Sequence, residues 1–315
     1  LPTQPIMTQP VITVITPTYN RERLLPRVWD SLKRQTETRF EWIIVDDGST
    51  DSTRTLIKSL NDSRITYVHQ SNQGQNAARQ HGEKFMQSDY AVFLDSDDEL
   101  FDEKTLAMML GVIRETPEDI GVVAFQVVTP NGGAGASDFA EDCMILGYED
   151  LVCECKAKGE AFRIFKKEAL LVHPWWVDGP GLLNIRYYGI AKRFKYLYVA
   201  RPALIYHTNH GDNLTGPSAY IKRSGAMTEG LKLLIRDHGE CMRRACHPIL
   251  GGKLYDAAMN SAMAGKTLDA ARFALRSICE KGPIANNSRL LLILLLPLSL
   301  RHRLFIWRSH RSGIR

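Results

Sequence analysis

The sequence lacks a disulfide framework, because its six cysteines show no spacing typical of one. Cys153 and Cys155 have neither a second cysteine pair nor nearby histidines, which argues against a zinc site. Reduced cysteines in a cytoplasmic protein are therefore expected. Residues 1–10 contain three prolines and no apolar run, so they do not resemble a secretory signal. We expect residues 1–9 to form a loose leader.

A membrane-spanning run is also missing. The longest apolar stretch, 290–300, has eleven residues and is interrupted by Pro297, whereas a spanning helix needs about 20 apolar residues. Acidic residues are absent after Glu280, but arginines follow at positions 289, 301, 303, 308, 311 and 315. Basic residues beside leucine and Trp307 are typical of an interfacial segment.

We therefore expect residues 284–315 to form a basic amphipathic tail, with peripheral membrane contact through 289–308. The alternative is a C-terminal helix packed on the domain. Nucleic acid is a less favoured partner, because the basic residues adjoin Leu and Ile rather than stacking aromatics.

What remains is an ordinary globular composition with a regular first part. Of the 315 residues 44% are hydrophobic and 24% charged. Short β-branched runs at 11–16, 40–45, 65–68 and 90–94 alternate with helical patterns at 24–32, 51–60 and 76–86. Such alternation predicts an α/β fold with a mostly parallel sheet flanked by helices.

Polar residues follow three of the predicted strands, at 16–21, 46–50 and 95–98. Ligands of parallel sheets bind beyond the carboxyl ends of the strands, so these segments predict a shared site. Residues 105–220 are less regular. Helical patterns persist from 221 to 279, including a helix pair over 254–281 with Gly265 at its turn.

The run Asp95-Ser96-Asp97-Asp98 carries the clearest chemistry. Residues i and i+2 of a strand point the same way, so the carboxylates of Asp95 and Asp97 can converge. Carboxylates this close repel one another unless a cation lies between them, and Mg²⁺ or Mn²⁺ prefers such oxygen ligands. The alternative is an acidic helix N-terminus, where Asp98 and Glu99 complement the helix dipole.

Four motifs, in this order, resemble the inverting glycosyltransferase family 2: 14–21 (VITPTYNR), 44–51 (IVDDGSTD), 72–79 (NQGQNAAR) and 93–98 (FLDSDD). The resemblance spans roughly residues 11–215 and implies the Rossmann-like GT-A fold. It divides the chain into a GT-A domain at 10–220, with a nucleotide-binding half (10–104) and an acceptor half (105–220), and a C-terminal helical region at 221–283 before the tail.

The resemblance also implies roles for individual residues. The nucleotide-sugar would contact Thr16, Pro17, Thr18, Tyr19, Arg21, Asp46, Asp47, Arg79, Asp95 and Ser96. Within this set, Asp46 would accept a hydrogen bond from the uracil imide and Arg79 would approach the diphosphate. The Asp46-Asp47 pair has an alternative interpretation, a turn that closes a strand. His81 departs from the asparagine usual in relatives.

An inverting transferase needs a base for the acceptor hydroxyl, and the resemblance implies an acidic residue about 80 to 100 residues past the Asp95–Asp98 motif. In that region Asp178 is the only acidic residue between Glu168 and Asp212. We therefore predict Asp178 as the base, although a turn aspartate before Gly179 is the alternative. The predicted acceptor side comprises Asp98, Arg163, Trp175 and Trp176, and the predicted metal ligands are Asp95, Asp97 and His210, with His207 as the other histidine candidate.

The resulting hypothesis is a metal-dependent transferase of hexosyl or N-acetylhexosaminyl type. It would move sugar from a nucleotide-sugar, with UDP favoured, to a saccharide or lipid-linked acceptor in cell-surface polysaccharide or glycolipid synthesis, on the cytoplasmic face of the inner membrane. A sugar-nucleotidyltransferase is one rival, but it needs a glycine-rich triphosphate loop and residues 16–21 contain no glycine. A non-catalytic nucleotide-sugar-binding scaffold is the other.

Overall fold

The computed structural model describes residues 9–131, 137–153, 156–179, 182–207 and 217–311. Within these ranges the chain forms two compact units. The first comprises residues up to 175 together with 189–207, and the second comprises 176–188 together with the residues from 217 onward. Residues 176–188, which the sequence analysis placed in the acceptor half, thus belong to the mainly helical unit.

The first unit begins with regular strand–helix alternation. Its elements are β1 (Ile12–Thr18), α1 (Leu25–Lys33), β2 (Phe40–Asp46), α2 (Thr53–Ser59), β3 (Ile65–His69), α3 (Gln75–Glu83) and β4 (Tyr90–Phe93). The four predicted strands and three predicted helices of this region are therefore all present, with ends that differ by a few residues.

The rest of the first unit is less regular, as the sequence indicated. It contains β5 (Glu99–Leu100), α4 (Thr105–Arg114), β6 (Ile120–Val128), β7 (Ser137–Phe139), β8 (Cys143–Leu146), α5 (Tyr148–Cys153), β9 (Ala157–Gly159), β10 (Ala161–Lys166), α6 (Lys167–Leu170), the end of α7 (Asn184–Ala191) and β11 (Lys195–Ile205).

The main sheet has the order β3-β2-β1-β4-β10-β6-β11-β5, and β8 also pairs with β11. The pairs β3–β2, β2–β1, β1–β4 and β6–β11 are parallel, whereas β10, β5 and β8 run antiparallel to their neighbours. Thr18 lies beside Asp46, and Asp46 beside His69, so the carboxyl ends of three strands meet at one edge. The predicted mostly parallel sheet is confirmed.

Both faces of this sheet are covered. One face contributes Val14 and Trp42 to a large apolar core with α1 and α4, and the other packs Ile15 and Val45 against α3. A Cβ on Gly82 would lie 2.6 Å from Cγ2 of Ile15, so the glycine lets α3 approach the sheet closely. This close approach sets the position of the side chains that α3 presents at the carboxyl edge.

The second unit is built mainly from five consecutive helices. They are α8 (Pro217–Ala245), α9 (His247–Met263), α10 (Thr267–Cys279), α11 (Ile284–Ile293) and α12 (Leu298–Arg311). The predicted helix pair is present as α9 and α10, and Gly265 between them has φ +77°. Pro297 separates α11 from α12. No helix in the described ranges combines the length and apolar character needed to cross a membrane.

The cysteines differ from the expectation of reduced thiols. Cys153 and Cys246 are disulfide-bonded, whereas Cys143, Cys241 and Cys279 are free. The expectation is therefore wrong for the first two. Spacing along the chain could not show this, because a disulfide depends on which cysteines the fold brings within bonding distance.

Candidate functional site

The acidic run follows β4 directly and alternates in exposure. Asp95 and Asp97 are half-buried, whereas Ser96 and Asp98 are 7% and 3% exposed. The N–H of Asp98 donates to the carbonyl of Asp95 at 3.3 Å, so the run closes a turn. Because the run closes a turn instead of continuing β4, alternation along a strand does not apply to it, and the convergence of the Asp95 and Asp97 carboxylates stays a prediction.

Helix α3 presents two side chains to Asp95. Nη2 of Arg79 lies 2.7 Å from Oδ1 of Asp95, and Nε2 of Gln75 donates to the same oxygen at 3.0 Å. The two donors are four residues apart and therefore lie on one face of the helix. The Arg79 guanidinium also lies over the Trp175 ring, 5.3 Å from its centroid. Arg79 is thus held at the carboxyl edge by both an ion pair and an aromatic face.

Asp46 and Asp47, at the end of β2, have different partners. Asp46 is 1% exposed and accepts hydrogen bonds from the Ser49 N–H at 2.8 Å and from the Tyr67 hydroxyl at 2.7 Å. Burial, and then the hydrogen bond to Asp46, raise the pKa of the Tyr67 hydroxyl above its usual range. Asp46 is therefore a fixed, fully buried acceptor at the strand end.

Asp47 organises the loop that leads into α3. Its Oδ1 accepts hydrogen bonds from Nε2 of Gln70 at 2.7 Å and from the Gln73 N–H at 2.8 Å, and its Oδ2 accepts one from the Gly74 N–H at 2.8 Å. Gly74 has φ +91°, a conformation that favours glycine. Through these three hydrogen bonds Asp47 holds the loop between β3 and α3 in place.

The residues after β1 differ in exposure. The hydroxyl of Thr16 is buried and accepts a hydrogen bond from Nε1 of Trp42 at 2.9 Å, so Thr16 faces the core. Thr18 is 3% exposed, and its buried Oγ1 has no hydrogen-bond partner in the described structure. Tyr19 is 45% exposed and offers an open aromatic ring. Pro17 is buried and Arg21 half-buried. Contact of these residues with a nucleotide stays a prediction.

The acidic run has the chemistry of a cation site. Burial, and then the charges of Asp95 and Asp97, raise the pKa of Asp98 to about 9. The carboxylates of Asp95 and Asp97 are hard oxygen donors of the kind that suits Mg²⁺ or Mn²⁺. Among the residues that the structure describes, however, no group of three His, Cys, Asp or Glu side chains is arranged to hold a metal ion.

Of the two histidines predicted as possible metal ligands, one lies within the described residues and the other lies outside them. The backbone N–H of His207 donates to Oδ1 of Asp98 at 3.2 Å, and the ring Nε2 of His207 lies 3.0 Å from Oε1 of Glu99. The imidazole of His207 is thus engaged by Glu99. His210 falls in 208–216, outside the described residues.

The predicted acceptor residues are mostly buried. Trp175 is 4% exposed, its Nε1 donates to Glu83 at 2.7 Å and its N–H donates to Gln80 at 3.1 Å. Trp176 is 9% exposed, and a Cβ on Gly230 would lie 2.7 Å from its ring. Neither indole is an open stacking face here, so a sugar-stacking role stays a prediction.

The other two predicted acceptor residues lie in the first unit, and the predicted base lies in the second. Asp98, the last residue of the acidic run, is buried. Arg163, in β10, is half-buried and donates to the carbonyl of Ala161 at 2.8 Å. Asp178 is exposed and belongs to the second unit. The role of Asp178 as a base therefore also stays a prediction.

No role was predicted from the sequence for Gln70, Gln73 and Gln75, although Gln73 and Gln75 lie inside the 72–79 motif. The signal available for Gln75 was its spacing, four residues before Arg79, which places both on one helix face. Gln70 and Gln73 carried no comparable signal, because their contact with Asp47 depends on how the loop folds back on β2.

Comparison with solved structures shows the fold. The crystal structure of S. aureus TarS 1-349 in complex with UDP-GlcNAc is 20% identical, with a TM-score of 0.61 over 96% of this chain and 92% of that one. The mannosyltransferase PcManGT from Pyrobaculum calidifontis, in complex with GDP-Man and Mn2+, is 19% identical, with a TM-score of 0.54 over 95% and 88%. Together with the polar carboxyl edge, this likeness defines a GT-A glycosyltransferase fold.

The chain belongs to glycosyl transferase family 2, whose family model matches residues 13–169. A curated relative, the Campylobacter jejuni GalNAc(5)-diNAcBac-PP-undecaprenol beta-1,3-glucosyltransferase, is 30% identical over 170 residues, 51% of this chain and 53% of that protein. The chain thus spans about half the length of this relative.

Proposed function

We propose that the protein transfers a sugar from a nucleotide-sugar, most suitably a UDP-sugar, to the hydroxyl of a saccharide or lipid-linked acceptor with inversion at the anomeric carbon. The observation that carries this proposal is the 2.7 Å contact between Arg79 and Asp95, beside Asp97, at the carboxyl edge of the sheet. A guanidinium and two carboxylates there can serve the phosphates of a diphosphate and a bridging cation.

The nucleotide half of the site follows from the residues after β1 and β2. The exposed ring of Tyr19 can stack on a base. Oδ1 of Asp46 accepts a hydrogen bond from the Ser49 N–H and Oδ2 accepts one from the Tyr67 hydroxyl. A carboxylate oxygen has a second lone pair, which can accept the uracil imide N–H. The orphaned hydroxyl of Thr18 at the same edge is a further group that a ligand could satisfy.

In this proposal Asp95 and Asp97 hold Mg²⁺ or Mn²⁺. The metal, when bound, neutralises the charge of the diphosphate leaving group. Arg79 adds a guanidinium fork to the same phosphates, and Gln75 keeps a hydrogen bond on Asp95. The chain supplies these donors from one strand end and one helix, which is the rigid placement that charge stabilisation requires.

The acceptor half depends on Asp178. Its carboxylate would take the proton of the attacking hydroxyl while the sugar–phosphate bond breaks on the opposite side of the anomeric carbon. One displacement of this kind inverts the centre. The exposure of Asp178 leaves its carboxylate accessible to an acceptor.

We place the reaction in cell-surface polysaccharide or glycolipid synthesis at the cytoplasmic face of the inner membrane, with peripheral membrane contact through 289–308. The support is the undecaprenol-linked acceptor in the name of the Campylobacter relative and the basic, acid-free segment after Glu280. The proposed location at the cytoplasmic face is supported by the lipid-linked acceptor and the basic segment, and the oxidation state of the cysteines is not part of that support.

The test has two arms. Thermal shift with UDP, with and without Mn²⁺, should show metal-dependent stabilisation, since a ligand that binds only the folded state raises its stability. Nucleotide release from UDP-, GDP- and dTDP-sugars should then identify one preferred donor. Binding without release in the presence of candidate acceptors would favour a scaffold, and pyrophosphate-dependent formation of a nucleoside triphosphate would favour a sugar-nucleotidyltransferase.

A further inference from the structure

Helix α12 turns its apolar side chains to solvent. Leu300, Leu304 and Trp307 are 40%, 37% and 54% exposed, and their spacing of four and three residues places them along one face. On another side of the helix, Phe305 stacks on Tyr220 at 5.0 Å between ring centroids. A helix that only packs on a domain buries its leucines and exposes its polar residues. Helix α12 therefore has a second, uncovered face.

Helix α11 shows the same division. Leu290 and Leu294 are 2% and 7% exposed and belong to the apolar core of the second unit. Ile284 and Leu292, by contrast, are 62% and 68% exposed, and Leu295 in the turn to α12 is 82% exposed. Large apolar side chains with this exposure are unusual in a group on a soluble surface and mark an interaction site.

The turn between these helices is fixed from inside by Arg301. Although charged, Arg301 is only 6% exposed. Its Nη2 donates to the carbonyl of Leu294 at 2.6 Å, its Nε to the carbonyl of Leu296 at 2.8 Å and its Nη1 to Oγ1 of Thr267 at 3.0 Å. The guanidinium thus holds the α11–α12 turn against the start of α10. Arg301 is buried while Leu300 and Leu304 of the same helix are exposed, which is the reverse of an ordinary surface helix.

The charged side chains that α11 and α12 themselves carry are all basic. No acidic residue follows Glu280 in the sequence, and Arg289 and Arg303 are exposed within the same two helices. An anionic surface complements this arrangement. A second copy of the chain would instead bring the same arginines together across a self-complementary interface, and like charges oppose that pairing.

We propose that one apolar surface of α11, α12 and the turn between them inserts into the interfacial region of an anionic phospholipid bilayer, with Arg289 and Arg303 at the phosphates. This surface, here called the leucine face, comprises Ile284, Leu292, Leu295, Leu300, Leu304 and Trp307. This deepens the membrane contact proposed above and revises its residues. Arg301 serves the fold rather than the lipid, and Ile284 extends the surface beyond 289–308. The inference does not depend on which sugar is transferred.

The test is flotation of the full chain with vesicles of phosphatidylcholine alone and of phosphatidylcholine mixed equally with phosphatidylglycerol. The native protein should bind the anionic vesicles more strongly. Combined Leu295→Gln and Trp307→Gln should lower the partition coefficient at least about tenfold, because two apolar side chains lose their burial in lipid. Combined Arg289→Gln and Arg303→Gln should remove the preference for phosphatidylglycerol.

Leu171→Gln is the matched control, because Leu171 is 81% exposed but belongs to the first unit; it should bind vesicles like the native chain. UDP-induced thermal stabilisation of each variant reports separately on the fold and on the proposed nucleotide site. Three results would overturn the inference: no vesicle binding by the native chain, equal loss in the Leu171 variant, or a concentration-dependent oligomer that Leu295→Gln dissociates.

Discussion

Arg79 and Asp95 form an ion pair of 2.7 Å in which the guanidinium is almost fully buried, at 6% exposure of its side chain, while the carboxylate is 33% exposed. The carboxylate proposed as a cation ligand is therefore already bound to the arginine proposed as a phosphate ligand. Binding of a diphosphate with its cation would give both groups new partners at once. The two sites are thus expected to be thermodynamically linked.

Replacing Arg79 should separate binding of the diphosphate from binding of the cation. In Arg79→Gln we expect UDP to bind about ten- to a hundredfold more weakly, since a hydrogen bond to a charged group contributes about 1.5–3 kcal/mol. Mn²⁺ binding without nucleotide should not weaken, because Asp95 loses a competing cation. Isothermal titration calorimetry measures both. Arg39→Gln, at an exposed ion pair with Glu37, is the control, and unchanged UDP affinity in Arg79→Gln would contradict the diphosphate role.

Asp97 tests the cation. In Asp97→Asn the Mn²⁺-dependent part of the UDP-induced thermal shift should disappear, as it should for the native protein after chelation with EDTA. At UDP about a hundredfold above its Kd, the full stabilisation is roughly 2.7 kcal/mol. Asp89→Asn provides the comparison, because Asp89 is exposed just before β4, at the opposite end of the same strand. If the Mn²⁺-dependent thermal shift persists in Asp97→Asn, Asp97 is not a ligand of the cation.

Asp178 tests the acceptor side. Asp178→Asn keeps the shape of the side chain but cannot take a proton, so turnover should fall by about 10²–10⁴. UDP affinity should be unchanged, since Asp178 has no proposed contact with the nucleotide. Steady-state kinetics and calorimetry check the two statements, with Glu168→Gln in α6 as the control. Native turnover in Asp178→Asn would sink the assignment.

Asp47 should matter for stability as well as for the site. Asp47→Ala leaves two backbone N–H groups and the Gln70 amide without their acceptor. We expect the free energy of unfolding to fall by about 2–3 kcal/mol in urea titration. Asp47→Asn keeps one acceptor oxygen and should show a smaller loss. Equal stability of all three proteins would show that the loop before α3 does not depend on this carboxylate.

Arg301 should stabilise the second unit. Arg301→Met leaves the carbonyls of Leu294 and Leu296 unsatisfied, and we expect a loss of about 2–4 kcal/mol in the free energy of unfolding. Arg303→Met, at an exposed arginine two residues away, should change it little. Chemical denaturation monitored by circular dichroism compares the two. A similar small effect in both variants would mean that the buried hydrogen bonds of Arg301 contribute nothing measurable.

The sequence by itself determined the local elements and their order. Continuous β-branched runs such as those ending at Thr18 and Asp46 can be buried only in a sheet covered on both faces, and alternation with helices makes that sheet parallel. It follows that the polar segments after these strands meet at one edge. The helix pair around Gly265 could also be predicted from the sequence, because helical periodicity and a glycine turn are properties of neighbouring residues.

Only the tertiary structure decided which groups meet. It paired Arg79 with Asp95, covered the indoles of Trp175 and Trp176, and turned Arg301 inward while exposing Leu295. It also assigned residues 176–188 to the helical unit. Side-chain direction and partners depend on how distant elements pack. The sequence of an apolar segment does not show whether an arginine in it faces lipid phosphate or caps a buried helix end. For Arg301, the packing of α10 against the α11–α12 turn decides that the guanidinium caps the helix end.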